Sequence, residues 1–343
     1  MRIAVAAGGV SDEDLGFVVE AERLGADSVW VAEAWGHDAF TPLAYLAGKT
    51  ERIRLATGIA QLGARTPALL AMSSMSMQAL SGGRFLLGLG TSGPQVMEGW
   101  HGVRFTAPLA MTRETIEILR TVTAGERLAH DGAVYRLPLP DGAGRAIRSS
   151  APPTPVPVYL AAMGPKNLAL TGELADGWLA NTFMPETAAT FVEPLAEGAA
   201  RAGRSVADLD IVVPVGVEFT DDEEEAARRH ARGYAFTIGA MGSRGQNFYN
   251  AAFERQGYGE DVRAVQELWL AGDRDGAADR VPLDLGRRTN LLGPRDVVRD
   301  RIALYRAAGV TALQAKLTGS LDERLTTLGT LLELCAEPGA EPR

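Results

Sequence analysis

The segment Ile53–Gly93 limits the possible folds of this chain more than any other segment. It holds two nearly all-apolar, strand-like runs, Ile53–Ala60 and Arg84–Leu89, joined by an apolar helical stretch, Pro67–Leu80, that stops at Ser81-Gly82-Gly83. Strands with this pattern are covered on both faces, as in a parallel α/β sheet. Polar and glycine residues follow each run, where such folds build ligand sites. The segment therefore predicts a βαβ unit.

The same alternation of strands and helices continues along most of the chain. Asp12–Leu24 is a predicted helix that begins after Ser11 and stops at Gly25, both typical cap residues. The count and order of strands favour a (β/α)8 TIM barrel of the α/β class over the alternative, an open doubly wound sheet. The eight predicted strands are Arg2–Ala7, Ser28–Ala32, Ile53–Ala60, Arg84–Leu89, Val156–Ala161, Gly177–Ala180, Leu209–Val215 and Thr311–Leu317.

Two segments interrupt this alternation. We expect one domain, residues 1–336, with insertions at about 92–155 after strand four and 216–309 after strand seven. The tail, Glu337–Arg343, is rich in proline, glycine and charge and is predicted to be flexible. Insertions after barrel strands commonly form the walls or lid of an active site.

Local patterns describe these insertions further. The first contains a predicted helix, Leu109–Thr123, and a hairpin-like stretch, Glu126–Leu137. In the second, Glu224–Arg228 and Glu225–Arg229 are i,i+4 pairs, which favour a solvated helix face. The stretch Gly239–Gly245 predicts a mobile loop.

Composition narrows the functional class. The net charge is −9 and there is no lysine- or arginine-rich block, which argues against binding to nucleic acid or an anionic membrane. No run of eighteen apolar residues predicts a membrane span, and no signal peptide is evident, so we expect a cytoplasmic protein. A single cysteine, Cys335, excludes an internal disulfide and is expected to pack in a C-terminal helix.

The run Gly88-Leu89-Gly90-Thr91-Ser92-Gly93 matches the pattern Gly-x-Gly-x-x-Gly. A dinucleotide fingerprint is disfavoured, because the motif lies at the fourth strand and no acidic strand end follows about twenty residues later. The preferred interpretation is a backbone that passes close to a flat ligand, with Thr91 and Ser92 offering hydroxyl groups. The run Ala161–Lys166 lies between a strand and a helix, and is either an anion-binding nest or an ordinary βα turn.

Two of the four histidines are candidate acid/base groups. His37 lies four residues beyond Glu33, and His101 follows Trp100 in the first insertion. His130 and His230 are expected at the surface. No metal-ligand spacing, nucleophile elbow or P-loop is present, so no metal is predicted and an organic cofactor is expected to carry any chemistry.

The elements "TGI", "RTP" and "LSGGRFLLGLGTSG" within Ile53–Gly93 resemble the bacterial luciferase-like family, and most closely its branch that uses the deazaflavin coenzyme F420. Ser28–Phe40, Val158–Gly177 and Leu292–Leu313 agree in order and spacing, whereas residues 216–288 do not. The resemblance implies a (β/α)8 barrel, a homodimer, and a flat ring bound at the carboxyl-terminal mouth of the barrel.

Matching positions imply roles for individual residues. Gly58-Ile59 falls where the family has a non-proline cis peptide that backs the ring. Glu33, Gln61 and Thr91 align with residues that contact the ring or its side chain. Ala162, Met163 and Gly164 align with backbone amides that hold the cofactor phosphate, which favours the nest interpretation of this loop.

The chain departs from the branch that oxidises a sugar phosphate. Ala34, Gly93 and Met184 stand where that branch has a catalytic histidine, a glutamate and a phosphate-binding lysine. Oxidation of a sugar phosphate is therefore disfavoured. The resulting pocket is predicted to be apolar and roomy, with four large side chains nearby: Trp35, Trp100, Phe183 and Met184.

Three hypotheses follow. The first is an F420-dependent oxidoreductase that moves a hydride between reduced deazaflavin and a neutral or apolar substrate, with His37, then His101, then Glu98 as candidates for the proton relay. The second is an FMN-dependent monooxygenase on the same barrel, which needs a partner reductase. The third is a non-catalytic flavin-binding protein.

Overall fold

A computed structural model describes residues 1–241 and 247–337 of the chain. Eight parallel strands close into a barrel in which each strand pairs with its neighbours in the sequence and the eighth pairs with the first. The predicted (β/α)8 barrel is confirmed. The strands are β1 Arg2–Ala7, β2 Ser28–Val31, β3 Arg54–Thr57, β4 Phe85–Gly90, β5 Val158–Ala161, β6 Gly177–Leu179, β7 Asp210–Phe219 and β8 Ala312–Lys316.

Helices surround the barrel, and the two insertions, after β4 and after β7, contribute further helices. The first, Asp12–Leu24, begins as predicted, because the Ser11 side chain accepts a hydrogen bond from the Asp14 amide, and it ends at Gly25 with φ 105°. The α-helices of the described residues are α1 Asp12–Leu24, α2 Phe40–Ala47, α3 Pro67–Ser81, α4 Pro94–Met97, α5 Pro108–Thr123, α6 Pro165–Leu174, α7 Ala189–Arg201, α8 Glu223–Ala240, α9 Phe248–Phe253, α10 Gly259–Leu270, α11 Arg274–Arg280, α12 Leu283–Arg288, α13 Arg295–Ala307 and α14 Leu321–Ala336.

Strand β1 has the predicted bounds, five strands differ from the prediction by one or two residues at an end, and β3 and β7 differ by more. The predicted strand Ile53–Ala60 is divided: β3 ends at Thr57, and Ala60–Gln61 forms a separate short strand that pairs with β4. Strand β7 continues to Phe219, beyond the predicted end at Val215, because an unpredicted strand, Leu291–Gly293, pairs with its last three residues. The second insertion therefore starts after residue 219 rather than at 216.

The first insertion contains the predicted helix as α5, and the hairpin His130–Asp131 with Arg136–Leu137. The second contains α8 to α12. Gly239 and Ala240 belong to α8, so the predicted loop does not include them; residues 242–245 of that loop lie outside the described residues. Residues 338–343 of the predicted tail also lie outside them, and a single domain over residues 1–336 remains a prediction.

Alternate side chains of each strand face opposite sides of the barrel wall. The interior side chains form one compact cluster in which Trp30 and Tyr159 meet edge to face with ring centroids 5.3 Å apart. The outward side chains pack beneath the helices in the main core. The interior cluster consists of Ala4, Trp30, Ala56, Leu86, Tyr159, Leu179, Val212 and Ala312.

The amino-terminal end of the barrel is closed by charged and hydroxyl groups that bind each other. Asp210 accepts hydrogen bonds from Arg2, from the Thr311 hydroxyl and, at 2.8 Å, from the Tyr159 hydroxyl. Arg54 pairs with Asp27. These groups lie at the beginnings of different strands, so they join the strands across this end.

No helix among the described residues is both long and apolar enough to cross a lipid bilayer.

Candidate active site

The carboxyl-terminal end of the barrel is an open bowl. Strand periodicity places Ala6, Ala161, Pro214 and Gln314 on the inner face, two residues beyond members of the interior cluster. All four are only partly buried, whereas the cluster below them is nearly closed to solvent. Solvent therefore enters the barrel from this end as far as that layer, and the polar residues that follow each strand surround the opening.

Glu33, directly beyond β2, forms an ion pair with Arg65 through both of its carboxylate oxygens, at 2.7 and 2.8 Å. The Glu33 side chain is 8% exposed and the Arg65 side chain 19% exposed. Burial favours the neutral acid, but hydrogen bonds from Arg65 and from the Ala39 amide outweigh it and lower the pKa of Glu33. Glu33 is therefore an ionised, fixed group that organises the loops after β2 and β3.

Gln61 joins this pair to the first insertion. Its side-chain amide donates to the carbonyl oxygens of Glu33 and Ala34, at 3.0 and 2.9 Å, which fixes the amide orientation. Its oxygen then lies 3.1 Å from Nε2 of His101 and is able only to accept, so Nε2 must carry a proton. In neutral His101, Nδ1 is left as the basic nitrogen.

The peptide Gly58–Ile59 between β3 and Ala60 is cis, as the family resemblance implied. A Cβ atom on Gly90 would lie 2.9 Å from Cδ1 of Ile59 and 3.5 Å from Cβ of Ala161. The Ile59 side chain therefore covers the inner face of Gly90. The interpretation that this backbone passes directly against a flat ligand is not supported at Gly90, because Ile59 is the group exposed there.

The loop after β4 is held by its own polar groups. Thr91 Oγ1 donates to the Ser92 carbonyl oxygen at 3.4 Å, and Ser92 has φ 56°. The Glu98 carboxylate accepts from the Phe105 amide at 3.0 Å and so supports the loop that carries His101. Trp100 is 64% exposed beside it. Of the predicted proton-relay residues, the structure brings His101 into contact with Gln61, while Glu98 holds the loop.

The loop after β5 leaves its backbone accessible. Gly164 is the N-cap of α6, and a Cβ atom placed on it would have no atom within 4 Å. Arg255, from the second insertion, donates to the Met163 carbonyl oxygen, and the Ala162 carbonyl oxygen accepts from Trp178 Nε1 at 2.9 Å. An open helix N-terminus beside a guanidinium group suits an anion, although phosphate binding here remains a prediction.

The other predicted site residues are divided between solvent and core. His37 is exposed and Trp35 is 55% exposed on the loop after β2. Phe183 is 2% exposed and packs on Trp178, Phe191 and Tyr305. Met184 is fully buried beneath the second insertion. Neither Phe183 nor Met184 has surface that a ligand could touch in this conformation, because aromatic packing and the insertion cover them.

Sequence reasoning did not identify one polar wall of the bowl, which consists of Glu218 from β7, Lys316 from β8 and His230 from α8. His230, expected at the surface, is only partly exposed: its side chain is 28% accessible, and its ring occupies the inner side of Gly216, where a Cβ atom would lie 2.5 Å from Cε1. Its Nε2 is 3.5 Å from a Glu218 carboxylate oxygen. Lys316 ends β8 directly opposite Gly216. The period-2 alternation of both strands would have revealed this wall if β7 had been extended to Phe219.

His130 was also expected at the surface. Its side chain is 15% exposed, and Nε2 lies 3.5 Å from the buried carboxylate of Glu114. This pair joins the hairpin to α5 within the first insertion.

A hollow of about 590 Å³ lies elsewhere, at the beginning of β5 and the end of α3, lined by Gln78, Gly82, Pro155 and Asp176 among others. It is at the opposite end of the strands from the bowl, and barrel enzymes place their sites at the carboxyl-terminal end. We therefore assign the site to the bowl. Among the described residues, no group of three His, Cys, Asp or Glu side chains could hold a metal ion.

A closed parallel barrel with a partly open, polar carboxyl-terminal mouth defines a (β/α)8 enzyme. The sequence model of the luciferase-like monooxygenase family matches residues 4–312. The chain belongs to that family of enzymes.

Similar proteins are found in bacteria and archaea. A Mycobacterium tuberculosis protein named "putative coenzyme F420-dependent oxidoreductase" is 42% identical over 92% of this chain and 93% of its own length. A 5,10-methylenetetrahydromethanopterin reductase of Archaeoglobus fulgidus is 30% identical over 87% of each chain. The solved structure of the coenzyme F420-dependent tetrahydromethanopterin reductase of Methanopyrus kandleri shares the fold, with a TM-score of 0.77, 23% identity and 96% of each chain covered.

Proposed function

We propose that this protein is a coenzyme F420-dependent oxidoreductase that transfers a hydride between reduced deazaflavin and a neutral or apolar organic substrate. The reaction is reduction of a C=C, C=N or C=O bond, or the reverse oxidation of an alcohol. The observation that carries the proposal is the 42% identity, over 92% of the chain, with the Mycobacterium tuberculosis relative named for that cofactor.

The residues present suit a flat, anionic cofactor. Small inward side chains at Ala6 and Ala161 leave the bowl open, and Ile59 offers an apolar surface at its base. The phosphate would be held by the backbone of Ala162–Gly164, with Arg255 nearby. The residues that would hold the ring and its side chain are Glu33, Gly58, Ile59, Gln61, Thr91 and Ser92.

When bound, reduced F420 supplies the hydride. The protein must hold the acceptor about 3–3.5 Å from the hydride carbon and exclude water. His101 is the residue best placed to hold a proton, because Gln61 fixes its ring with Nε2–H engaged and Nδ1 available. His37 remains the competing candidate, on an exposed loop that would have to close over the bowl. Trp35 and Trp100 lie on the two loops that carry these histidines and would form apolar covers.

The test is titration of the purified protein with F420 and, separately, with FMN, each followed by fluorescence. Tight F420 binding with weak FMN binding would support the proposal and justify screening unsaturated, imine and carbonyl acceptors with reduced F420. Preference for FMN would replace it with the FMN-dependent monooxygenase, to be assayed with oxygen and a flavin reductase. F420 binding without turnover of any acceptor would favour a non-catalytic binding protein.

We also propose that the protein is a homodimer that works in the cytoplasm. Leu69, Met72 and Leu80 of α3 are 48%, 57% and 63% exposed and lie along one side of that helix. Apolar side chains grouped on one helix face often pack against a second protein surface. Leu80→Glu should therefore convert the dimer to a monomer, as measured by light scattering after gel filtration. A monomeric wild-type protein would refute this part of the proposal.

A further inference from the structure

Lys316 stands at the mouth of the barrel on the inner face of β8. It lies two positions beyond Gln314 and four beyond Ala312, which belongs to the interior cluster. Strand alternation therefore directs its side chain into the bowl. Its register partner in β7 is Gly216, whose inner side is occupied by His230.

The groups that face Lys316 do not neutralise its charge. Lys316 forms no ion pair with any carboxylate of the described residues, and the nearby Glu218 carboxylate is bound by Arg229. Burial is the main cause that lowers the pKa of His230; Glu218 opposes this, and the positive charges of Arg229 and Lys316 add to it. His230 is therefore neutral at pH 7, and the wall keeps an uncompensated positive charge at Lys316.

The chain is poor in lysine, and Lys316 is the lysine that lies at the mouth of the barrel. The sequence has three lysines, Lys49, Lys166 and Lys316, against thirty-one arginines. Among the described residues, no lysine forms an ion pair with a carboxylate, and arginine is the cation in pairs such as Arg2–Asp210, Arg54–Asp27 and Arg65–Glu33. The carboxylates of the described residues thus pair with arginine, and Lys316 has no carboxylate partner among them.

Lys316 is an exposed residue without a counter-ion among the described residues, so its charge is offset by solvent alone. Nearby protein atoms displace part of that water and lower the pKa of Lys316 without supplying opposite charge. A ligand anion that entered the bowl would remove this imbalance. Among the described residues of this wall, Lys316 supplies one ammonium group and the arginines of α8 are bound to carboxylates, which suits a monoanion better than a phosphate, since a phosphate commonly uses several donors.

We propose that Lys316 binds a carboxylate group of the substrate, with the apolar part of that substrate directed toward Ile59 and Ala161. This inference rests on the proposed hydride transfer and changes the proposed substrate from a neutral molecule to one with an apolar body and one carboxylate end. His230, fixed over Gly216, lies beside the carboxylate and offers a neutral hydrogen-bonding group.

The small number of lysines allows a direct test that needs no catalysis. Reductive methylation with ¹³C-formaldehyde keeps the charge of each lysine and gives one NMR signal for each, assigned with the Lys49→Arg and Lys166→Arg variants. Hexanoate is the probe, and hexanamide is the neutral control of the same size. We expect hexanoate to raise the pKa of Lys316 by about 1 and to leave Lys49 and Lys166 unchanged. An equal response of all three lysines, or the same response to hexanamide, would overturn the proposal.

A second measurement separates this inference from the proposed function. Lys316→Met should remove the preference for hexanoate over hexanamide, measured by calorimetry, and should leave F420 affinity within about twofold of wild type. Lys49→Met, at a lysine outside the bowl, is the matched control. A loss of F420 affinity of tenfold or more in Lys316→Met alone would place the lysine against the cofactor and refute the inference. If wild type does not bind F420, the proposed function fails, whereas the hexanoate response still decides the role of Lys316.

Discussion

The two ends of the barrel are both polar, but they use their polar groups differently. At the amino-terminal end, Asp27 and Asp210 face Arg2 and Arg54, and each carboxylate has a guanidinium partner. At the mouth, Glu33 has its partner Arg65, but Lys316 has none among the described residues. The closed end is thus internally balanced, and the mouth carries a charge that only a ligand or solvent would balance.

This difference separates residues that hold the barrel together from residues that are available for binding. Charges paired across strand beginnings join distant parts of the chain and leave no group free. Barrel enzymes keep their chemistry at the other end, where loops rather than strands set the geometry. Substitutions at the two ends should therefore affect different measurements, stability at one and ligand binding or turnover at the other.

The largest expected effect is at the closed end. Asp210→Asn removes a carboxylate whose side chain is 13% exposed and leaves Arg2 without its nearest partner. We expect the free energy of unfolding to fall by about 3 kcal/mol, as when one member of a buried ion pair is lost. Urea unfolding measures this. Asp300→Ala, an exposed residue paired with Arg299 at 3.5 Å, is the control and should change stability by less than about 0.5 kcal/mol.

The same variant has a defined pH dependence. Burial raises the pKa of Asp210, but its hydrogen bonds from Thr311, Tyr159 and Arg2 lower it overall. The lowered pKa means that the ionised carboxylate stabilises the fold above the unfolded-state pKa of about 3.9, and that this contribution is lost as pH falls through the folded-state pKa. The stability difference between wild type and Asp210→Asn should therefore shrink below about pH 4. A difference that stays constant down to pH 2 would contradict the assignment.

At the mouth, substitution of His101 should affect turnover more than cofactor affinity. His101→Ala should reduce the rate of hydride transfer by about a hundredfold, the lower range for loss of a general acid or base, and should change F420 affinity by only a few-fold. Stopped-flow oxidation of reduced F420 separates the two quantities. His37→Ala is the competing variant: if it lowers turnover more than His101→Ala does, the proton relay lies on the loop after β2.

The Glu33–Arg65 pair at the mouth should contribute to the free energy of unfolding in the same way as the ion pairs at the closed end. Arg65→Met leaves the Glu33 carboxylate buried without its cation, and we expect a loss of about 2 kcal/mol in the free energy of unfolding. The double variant with Glu33→Gln should recover part of that loss, because no charge then remains buried. A thermodynamic cycle of the four proteins measures the coupling. Arg228→Met, which breaks an exposed pair with Glu224, should cost no more than about 0.5 kcal/mol.

The smallest expected effect on stability is at Gly164. A Cβ atom has open space there and φ is −80°, so Gly164→Ala should alter the free energy of unfolding by no more than about 0.5 kcal/mol. If a phosphate approaches this backbone, the same variant should weaken F420 binding measurably. Unchanged F420 affinity would remove Gly164 from the binding loop.

Most of the barrel was predictable from sequence because its strands carry a strong local signal. Runs such as Arg2–Ala7 are apolar and flanked by helix caps, and the structure reproduces that strand and the helix after it without change. The errors arose where pairing with a distant segment determines the element. Strand β7 extends to Phe219 because Leu291–Gly293 pairs with it, and a partner some seventy residues away leaves no local trace.

The site was predictable to a smaller extent. Family likeness pointed to Gly58-Ile59, and the structure has the expected cis peptide there. Phe183 and Met184 were assigned to a pocket from position alone, yet packing with Trp178 and the second insertion buries them. The contacts of Glu33 with Arg65 and of Gln61 with His101 could not be predicted from the sequence. Side-chain contacts between loops depend on three-dimensional distance rather than on a local sequence pattern.

The pairing of β7 with Leu291–Gly293 has a consequence for how such a protein can diversify. The second insertion, which contains α8 to α12, begins after Phe219, and its end returns to the same strand, where Leu291 is the register partner of Val217. A segment whose two ends are adjacent can be lengthened, shortened or exchanged without moving the residues at its boundaries. The second insertion supplies His230, whereas β8 supplies Lys316 and the turn between β3 and Ala60 supplies Ile59. Exchange of the second insertion between related proteins could therefore change substrate preference while the eight barrel strands stay the same.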